Sequence, residues 1–309
     1  MYDVALAFGD SITQQGYEHD ESGWLTHLSE KYVRRMDVLN RGFSGYNTTR
    51  ARQVVHSVFP VHRDIAKKSR STKGSSGMLQ WLSRRTEDIQ AAVSLRRRTR
   101  RRSKWPSTDA SFPGFTPRVQ LCILFFGAND AADPKDSRHT PLSEYSENLR
   151  YIVNLLQDPE SPHYSPETRI VIVTPPAVGD KMSEEWFRGR GWTYGPQKNT
   201  VTKKYAEAAV KVAKEMHLPS VNLWSAIETR VQASRKNKLQ ALSANLETGN
   251  STILTDSEES TVEKEDPSSE YDGYDEFLKD GLHLNSKGNK LLFRLLSMTI
   301  ERTWPELRP

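Results

Sequence analysis

A serine hydroxyl and a histidine that follows an acidic residue are the side chains of this chain best suited to act together in nucleophilic chemistry. Ser11 follows a short apolar run in Phe8-Gly9-Asp10-Ser11, and His283 follows Asp280 by three residues. A histidine accepts a proton from a serine when a carboxylate holds its Nδ1 and leaves Nε2 free. Because Gly281 between them permits a tight bend, Asp280 can reach back to the imidazole. These residues are therefore candidates for a nucleophile, a base and an orienting acid.

Two further motifs could donate hydrogen bonds to a developing negative charge on oxygen. Gly45, in Gly42-Phe43-Ser44-Gly45, lets a backbone N–H approach a ligand with no Cβ in the way. Asn129, in Gly127-Ala128-Asn129-Asp130, offers a side-chain amide, and loss of such a donor slows catalysis by roughly 10²–10³. Taken singly, the Gly45 motif is more typical of a tight turn before a helix, and the Asn129 motif is as typical of a turn or a helix cap as of a functional donor. Their shared placement after strands favours a functional interpretation.

The elements that would position these residues alternate between strand and helix. Near-continuous apolar runs typical of strands covered on both faces are Val4–Phe8, Val38–Leu39, Val119–Phe126, Ile170–Val173 and Val221–Leu223. Stretches with apolar residues on one helical face are Trp24–Arg35, Ser143–Leu156, Lys198–Met216 and a last helix from near Ser286 to Trp304. This alternation predicts an α/β domain with right-handed crossovers. Residues that follow the first three strands would then converge at the carboxyl edge of a parallel sheet.

The motifs together resemble the GDSL/SGNH hydrolase family, and more narrowly its isoamyl acetate-hydrolysing esterase-like group. The resemblance is carried by the runs FGDSITQQ, LNRGFSGYNT, FFGANDA and DGLHLNSKGN, and it covers residues 3–59, 119–238 and 276–304. It implies a three-layer, flavodoxin-like fold with a five-stranded parallel sheet of order 2-1-3-4-5 and helices on both faces. It also implies short-chain, acetate-type carboxylic ester substrates, no metal and no cofactor.

The same resemblance assigns a role to each candidate side chain. Ser11 becomes the nucleophile that forms an acyl-enzyme, and Asp280 and His283 complete a triad. The Ser11 N–H, the Gly45 N–H and the Asn129 amide become the oxyanion hole.

Other residues near these motifs are predicted to have structural rather than catalytic roles. Asp10 is interpreted as a turn residue rather than a catalyst, and Trp24, Phe125 and Phe126 as core rather than acyl pocket. Thr174-Pro175-Pro176 matches a loop that, in the family, lines the site.

Two polar segments interrupt the pattern. Residues 60–118 carry fifteen Lys and Arg against four Asp and Glu, whereas residues 247–276 carry eleven Asp and Glu and one Lys. The chain is therefore predicted to be a single domain over residues 1–309, interrupted by a basic insertion at about 60–118 and an acidic low-complexity insertion at about 239–275. The acidic segment is interpreted either as a lid over the site or as a disordered loop.

The amino-acid composition excludes several kinds of site and bears on the location and the alternative function of the protein. One Cys in 309 residues excludes a disulfide framework and a Cys-based zinc site, and the chain has no run of about 18 apolar residues that would span a membrane. The absence of a leader pattern predicts a cytoplasmic location, or a nuclear one if Arg96–Arg102 are exposed. The alternative function is a nucleic-acid or partner-binding protein that acts through Arg96–Arg102, with an impaired hydrolase core. We favour the interpretation of this run as a solvated loop, so nucleic acid is not the expected partner.

Overall fold

The computed structural model describes residues 3–61, 118–189, 197–247 and 272–308. The strands are β1 (Asp3–Gly9), β2 (Met36–Gly42), β3 (Val119–Phe125), β4 (Arg169–Val173) and β5 (Ser220–Val221). The helices are α1 (Ser11–Gln14), α2 (Trp24–Lys31), α3 (Thr48–Val58), α4 (Leu142–Gln157), α5 (Asp180–Arg188), α6 (Asn199–Glu215), α7 (Leu223–Glu247) and α8 (Ser286–Thr303). Short 3₁₀ turns occupy Gln15–Tyr17, Tyr274–Glu276 and Pro305–Leu307.

The five strands form one parallel sheet in the order β2-β1-β3-β4-β5, which confirms the predicted fold class and strand order. Gly9 at the end of β1 pairs with Gly42 in β2 and with Phe125 in β3. Strands β1, β2 and β3 therefore end at the same level. The loops that follow them leave the sheet side by side, at the edge where the order reverses and where ligands bind in open α/β sheets.

Each face of the sheet is covered by helices, because successive strand residues point to opposite sides. Ala5 and Ala7 of β1 belong to a buried cluster completed by α2, α7 and α8. Leu6 and Phe8 belong to a second cluster completed by α3, α4 and α6. The result is a three-layer arrangement of helices, sheet and helices.

The predicted core positions of three aromatic residues are confirmed. Trp24, Phe125 and Phe126 are each no more than 1% exposed, the first two in the cluster with α8 and the third on the opposite face.

Two predicted element boundaries are wrong. Helix α2 ends at Lys31 rather than at Arg35, so Val33, which lies within the predicted range, is 67% exposed. The fifth strand stops at Val221, because the Asn222 side chain accepts a hydrogen bond from the Ser225 N–H and so caps α7.

Helix α7 also continues to Glu247, within the segment 239–275 that the sequence assigns to an insertion. Among the side chains of this helix that the structure describes, the buried apolar ones are Leu223, Ile227 and Val231, near its start. A helical spacing of leucines resumes from Leu239 to Leu246, but it lies within the polar stretch that the sequence assigns to the insertion.

The larger part of both predicted insertions, with Arg96–Arg102, lies outside the described residues. The chain divides into one unit of residues 1–60 and 117–309 and a second unit of residues 61–116, and all five strands belong to the first. Of the helices within the described ranges, none has the length and apolar composition needed to cross a membrane.

Candidate active site

Ser11 lies at the turn from β1 into α1, where the backbone is fixed by hydrogen bonds. The Asp10 Oδ1 accepts from the Ile12 N–H at 2.9 Å and so caps α1. The Asp10 N–H donates to the Phe125 carbonyl of the neighbouring strand at 3.3 Å. Ser11 is the first helical residue and is 6% exposed, so its hydroxyl stands at the carboxyl edge of the sheet with little freedom to move.

His283 contacts both of its expected neighbours. Its Nε2 lies 2.9 Å from the Ser11 Oγ, and its Nδ1 lies 2.7 Å from the Asp280 Oδ2. The other carboxylate oxygen of Asp280 accepts from the backbone N–H groups of Leu282 and His283 at 3.0 and 2.8 Å. When the Nδ1–H donates to Asp280, the Nε2 lone pair faces the serine hydroxyl, which is the tautomer that proton transfer from serine requires.

The electrostatics keep Asp280 ionised. Burial raises the pKa of its carboxyl, but the hydrogen bond to His283, the charge of that imidazole and the two backbone N–H groups together lower it further. The net effect is a pKa of Asp280 below its usual value. A negative charge therefore stands behind the imidazole at neutral pH.

The turn that joins Asp280 to His283 depends on Gly281. This residue has a φ of +85°, in the left-handed region, and a Cβ there would lie 2.5 Å from the Ser183 backbone nitrogen and 2.7 Å from the Gly179 carbonyl oxygen. The Gly179 N–H also donates to the Gly281 carbonyl at 2.9 Å. The bend expected from the sequence is thus also a close approach of backbone to the start of α5.

The candidate donors lie in the same cleft as Ser11 and His283. Gly45 has a φ of +75°, and the Asn129 Nδ2 donates one hydrogen to the Tyr46 carbonyl at 3.0 Å, which leaves its second hydrogen available. Within the described part of the chain, the backbone N–H groups of Ser11 and Gly45 donate to no other group. The structure therefore brings all five site residues of the sequence analysis to one edge of the sheet.

A buried carboxyl joins the loops that carry Gly45 and Asn129. The Asp130 Oδ1 accepts from both the backbone N–H and the hydroxyl of Thr48, at the start of α3. Burial raises the pKa of Asp130 to about 6, and the hydrogen bonds from Thr48 oppose that rise. Asn148 of α4 donates to the same hydroxyl at 3.2 Å. In the sequence, Asp130 appears only as part of the Gly127–Asp130 motif, and nothing there indicates its hydrogen bonds with Thr48.

The cleft has a volume of about 550 Å³, and its lining surface is mostly apolar although most of its other lining residues carry polar or charged groups. Its other lining residues are Ser44, Arg50, Asp136, Ser137, Arg138, Trp186 and Leu282. The Arg138 guanidinium is paired with the Asp136 carboxylate. Ser44 and Leu282 lie inside motifs quoted above, whereas the other five stand in loops and helices without a recognisable sequence pattern.

One expectation about the cleft is wrong. Thr174-Pro175-Pro176 does not contribute to its lining. These residues are buried, and Pro175 packs against Gly127 beneath the loop that carries Asn129.

The spacing of an acidic residue three positions before a histidine is not specific to the site. It recurs before His139 and His163. His139 Nδ1 lies 2.9 Å from the Ala132 carbonyl, and His163 is 2% exposed on the side of the molecule that packs α3 against α4. Among the described histidines, His283 is the one that contacts the Ser11 hydroxyl. Within the described ranges, no group of three or more His, Cys, Asp or Glu side chains is arranged to hold a metal ion.

Comparison with known proteins identifies the family. The sequence profile of the GDSL-like Lipase/Acylhydrolase family matches residues 6–296. An isoamyl acetate-hydrolyzing esterase 1 homolog from Homo sapiens is 28% identical over 96% of this chain and 81% of its own length. A GDSL esterase/lipase from Arabidopsis thaliana is 29% identical over 98% of this chain and 88% of its own length.

The fold has a counterpart among solved structures. The crystal structure of a lipase/acylhydrolase from Enterococcus faecalis superposes with a TM-score of 0.50 and 17% identity, over 98% of this chain and 97% of that one. The chain, with its five-stranded parallel sheet and its Gly-Asp-Ser turn, belongs to the GDSL-like lipase/acylhydrolase family of hydrolases.

Proposed function

We propose that the protein is a serine esterase that hydrolyses short-chain, acetate-type carboxylic esters through an acyl-enzyme on Ser11. The observation that carries this proposal is the continuous contact from the Ser11 Oγ to the His283 Nε2, at 2.9 Å, and from the His283 Nδ1 to Asp280, at 2.7 Å. A nucleophile within hydrogen-bond reach of a base, itself oriented by a third group, is the arrangement that acyl transfer requires.

In the first half of the reaction, Ser11 attacks the ester carbonyl. His283 Nε2 takes the hydroxyl proton while the Ser11 Oγ bonds to the carbonyl carbon, and Asp280 stabilises the imidazolium. The carbonyl oxygen becomes an oxyanion, which the N–H groups of Ser11 and Gly45 and the Asn129 amide stabilise. His283 then gives its proton to the leaving alcohol as the carbon–oxygen bond breaks.

In the second half, water takes the place of the alcohol. His283 removes a proton from the water as its oxygen attacks the acyl carbon, and then returns a proton to the Ser11 Oγ. The carboxylic acid leaves, and the enzyme returns to its starting state.

The shape of the cleft supports a short acyl group. Trp186 and Leu282 are its large apolar lining residues, and the charged residues Arg50, Asp136 and Arg138 line it as well. An acetyl or propionyl group is small enough to lie within this volume against Trp186 and Leu282, and each methylene buried there contributes about 0.8 kcal/mol. The printed name of the human relative, an isoamyl acetate-hydrolyzing esterase 1 homolog, points to the same substrate class.

Labelling with a fluorophosphonate tests the nucleophile. Ser44 lines the same cleft and supplies a matched control. We expect the wild type and Ser44→Ala to be labelled and Ser11→Ala to remain unlabelled. Labelling that persists in Ser11→Ala would disprove the assignment.

A series of esters with lengthening acyl chains tests the substrate class. We expect kcat/KM to be highest for acetyl and propionyl esters and to fall for longer chains. A kcat/KM that rises steadily with chain length would contradict the proposed specificity.

A further inference from the structure

The loop from Phe43 to Asn47 carries the Gly45 N–H, but packing does not hold Gly45 in place. A Cβ built on this residue would meet no heavy atom within 4 Å, so the glycine stands in open space at a φ of +75°. Glycine has more backbone freedom than any other residue. The direction of the Gly45 N–H therefore depends on what its neighbours bind.

Two side chains bind the peptide groups on either side of that N–H. The Gln14 Oε1 accepts from the Ser44 backbone N–H at 2.8 Å, and the Arg50 Nη1 donates to the Gly45 carbonyl at 3.1 Å. The Gly45 N–H belongs to the peptide group between these two contacts. Its orientation is consequently fixed from both ends.

Gln14 connects this loop to the nucleophile. It is the last residue of α1, the helix that Ser11 begins. The Gln14 N–H donates to the Asp10 carbonyl at 2.9 Å, and its own carbonyl accepts from the Asn40 amide at 3.0 Å. The Gln14 backbone is therefore held rigidly relative to Ser11, while its side chain reaches out to the donor loop.

Building on the proposed esterase function, we propose that Gln14 is a positioning residue that aims the Gly45 N–H at the oxyanion. Gln14 is exposed, so its side chain adds little to the core. The charge that Gly45 would stabilise develops only in the transition state, so a misdirected N–H lowers kcat and leaves substrate binding nearly intact.

Substitutions at Gln14 separate this role from a structural one. Gln14→Met keeps the length of the side chain but removes the amide acceptor. We expect kcat to fall about tenfold, equivalent to about 1.4 kcal/mol of transition-state stabilisation, with KM and the melting temperature nearly unchanged. Affinity for a trifluoromethyl ketone, which forms a tetrahedral adduct, should fall in parallel with kcat.

Two further variants provide rescue and control. Gln14→Glu retains an acceptor oxygen, and at high salt, where its charge is screened, its kcat should lie closer to the wild type than that of Gln14→Met. Gln15→Ala changes the adjacent residue of the same type, whose side chain makes no hydrogen bond or ion pair within the described chain, and should match the wild type.

The outcomes distinguish this inference from the proposed function. A Gln14→Met enzyme with unchanged kcat, or with a raised KM and unchanged kcat, would overturn the positioning role and leave the esterase assignment intact. Ester hydrolysis that survives in Ser11→Ala, assayed in parallel, would instead remove the function on which the inference rests.

Discussion

Asp10 immediately precedes the proposed nucleophile in the chain. Its carboxylate form is poorly stabilised by its surroundings. It is fully buried, its Oδ1 caps α1, and its Oδ2 has no hydrogen-bond partner among the described residues. Burial raises the pKa of Asp10 from its ordinary 3.8 to about 7. This raised pKa makes the stability of the fold depend on pH.

The sign of that dependence follows from proton binding. Between about pH 4 and pH 7 the folded state keeps a proton on Asp10 that the unfolded state has lost, so this residue makes the fold less stable as pH rises. Asp10→Asn keeps the capping oxygen and removes the titration. We expect its stability relative to the wild type to increase by at least ~1 kcal/mol from pH 5 to pH 8, since one pKa unit corresponds to ~1.4 kcal/mol.

Urea unfolding of both proteins at the two pH values measures this difference. A wild type that loses no more stability than Asp10→Asn over that range would show that Asp10 does not carry the effect.

At the scale of elements, the close contact between the Asp280–His283 turn and the start of α5 sets the position of the His283 imidazole. A side chain at Gly281 would need a strained positive φ and would contact the backbone of Ser183 and Gly179 at less than 3 Å. Because the contacting atoms belong to the backbone, the turn itself would have to shift to relieve the clash. The base of the proposed triad therefore depends on a helix that contributes no triad residue.

Gly281→Ala should lower both stability and turnover. We expect the free energy of unfolding to fall by about 1–3 kcal/mol because of the strained backbone. Measured on folded enzyme, kcat should fall by a larger factor than KM changes. Gly189→Ala is the matched control, because a Cβ there meets the Glu185 carbonyl at an ordinary 3.5 Å. A Gly281→Ala enzyme as stable and active as Gly189→Ala would contradict this account.

The elements themselves were predictable where the pattern was strong. Strands β1, β3 and β4 and helices α4, α6 and α8 follow long apolar runs or a persistent helical periodicity. Helix α5 is short and rich in charge, and the described side chains of α7 beyond Val231 are mostly exposed, so neither helix was predicted from the sequence. Their positions are fixed by tertiary contacts that no local pattern encodes.

At the scale of the whole molecule, the site joins parts of the chain that are far apart in sequence. Ser11 and His283 are separated by 272 positions, and Thr48 and Asp130 by 82. The common level at which β1, β2 and β3 end makes these meetings follow from sheet order. Sequence motifs could therefore predict which residues converge. They could not predict the Gln14 contact or the Arg50 contact, which depend on the path of one loop.

The basic segment offers a test of domain organisation. Every strand in the described ranges and all five proposed site residues belong to the unit of residues 1–60 and 117–309. We expect a chain in which residues 61–116 are replaced by a flexible Gly/Ser linker to fold and to keep kcat/KM within an order of magnitude of the wild type.

Circular dichroism and ester turnover of this deletion variant check that expectation. A variant that does not fold, or that folds without activity, would contradict the prediction that the segment is an insertion into a complete domain. Because Arg96–Arg102 are removed as well, retained activity would also separate ester hydrolysis from any nucleic-acid or partner binding.

The most direct test of the central claim is the mass of the enzyme during turnover. Wild-type protein is mixed with an activated acetate ester, quenched rapidly in acid and analysed by peptide mass spectrometry. We predict a single acetyl group on the peptide that contains Ser11, and its absence in Ser11→Ala. Rapid ester hydrolysis with Ser11 unmodified, or an acetyl group on a different catalytic side chain, would contradict the account.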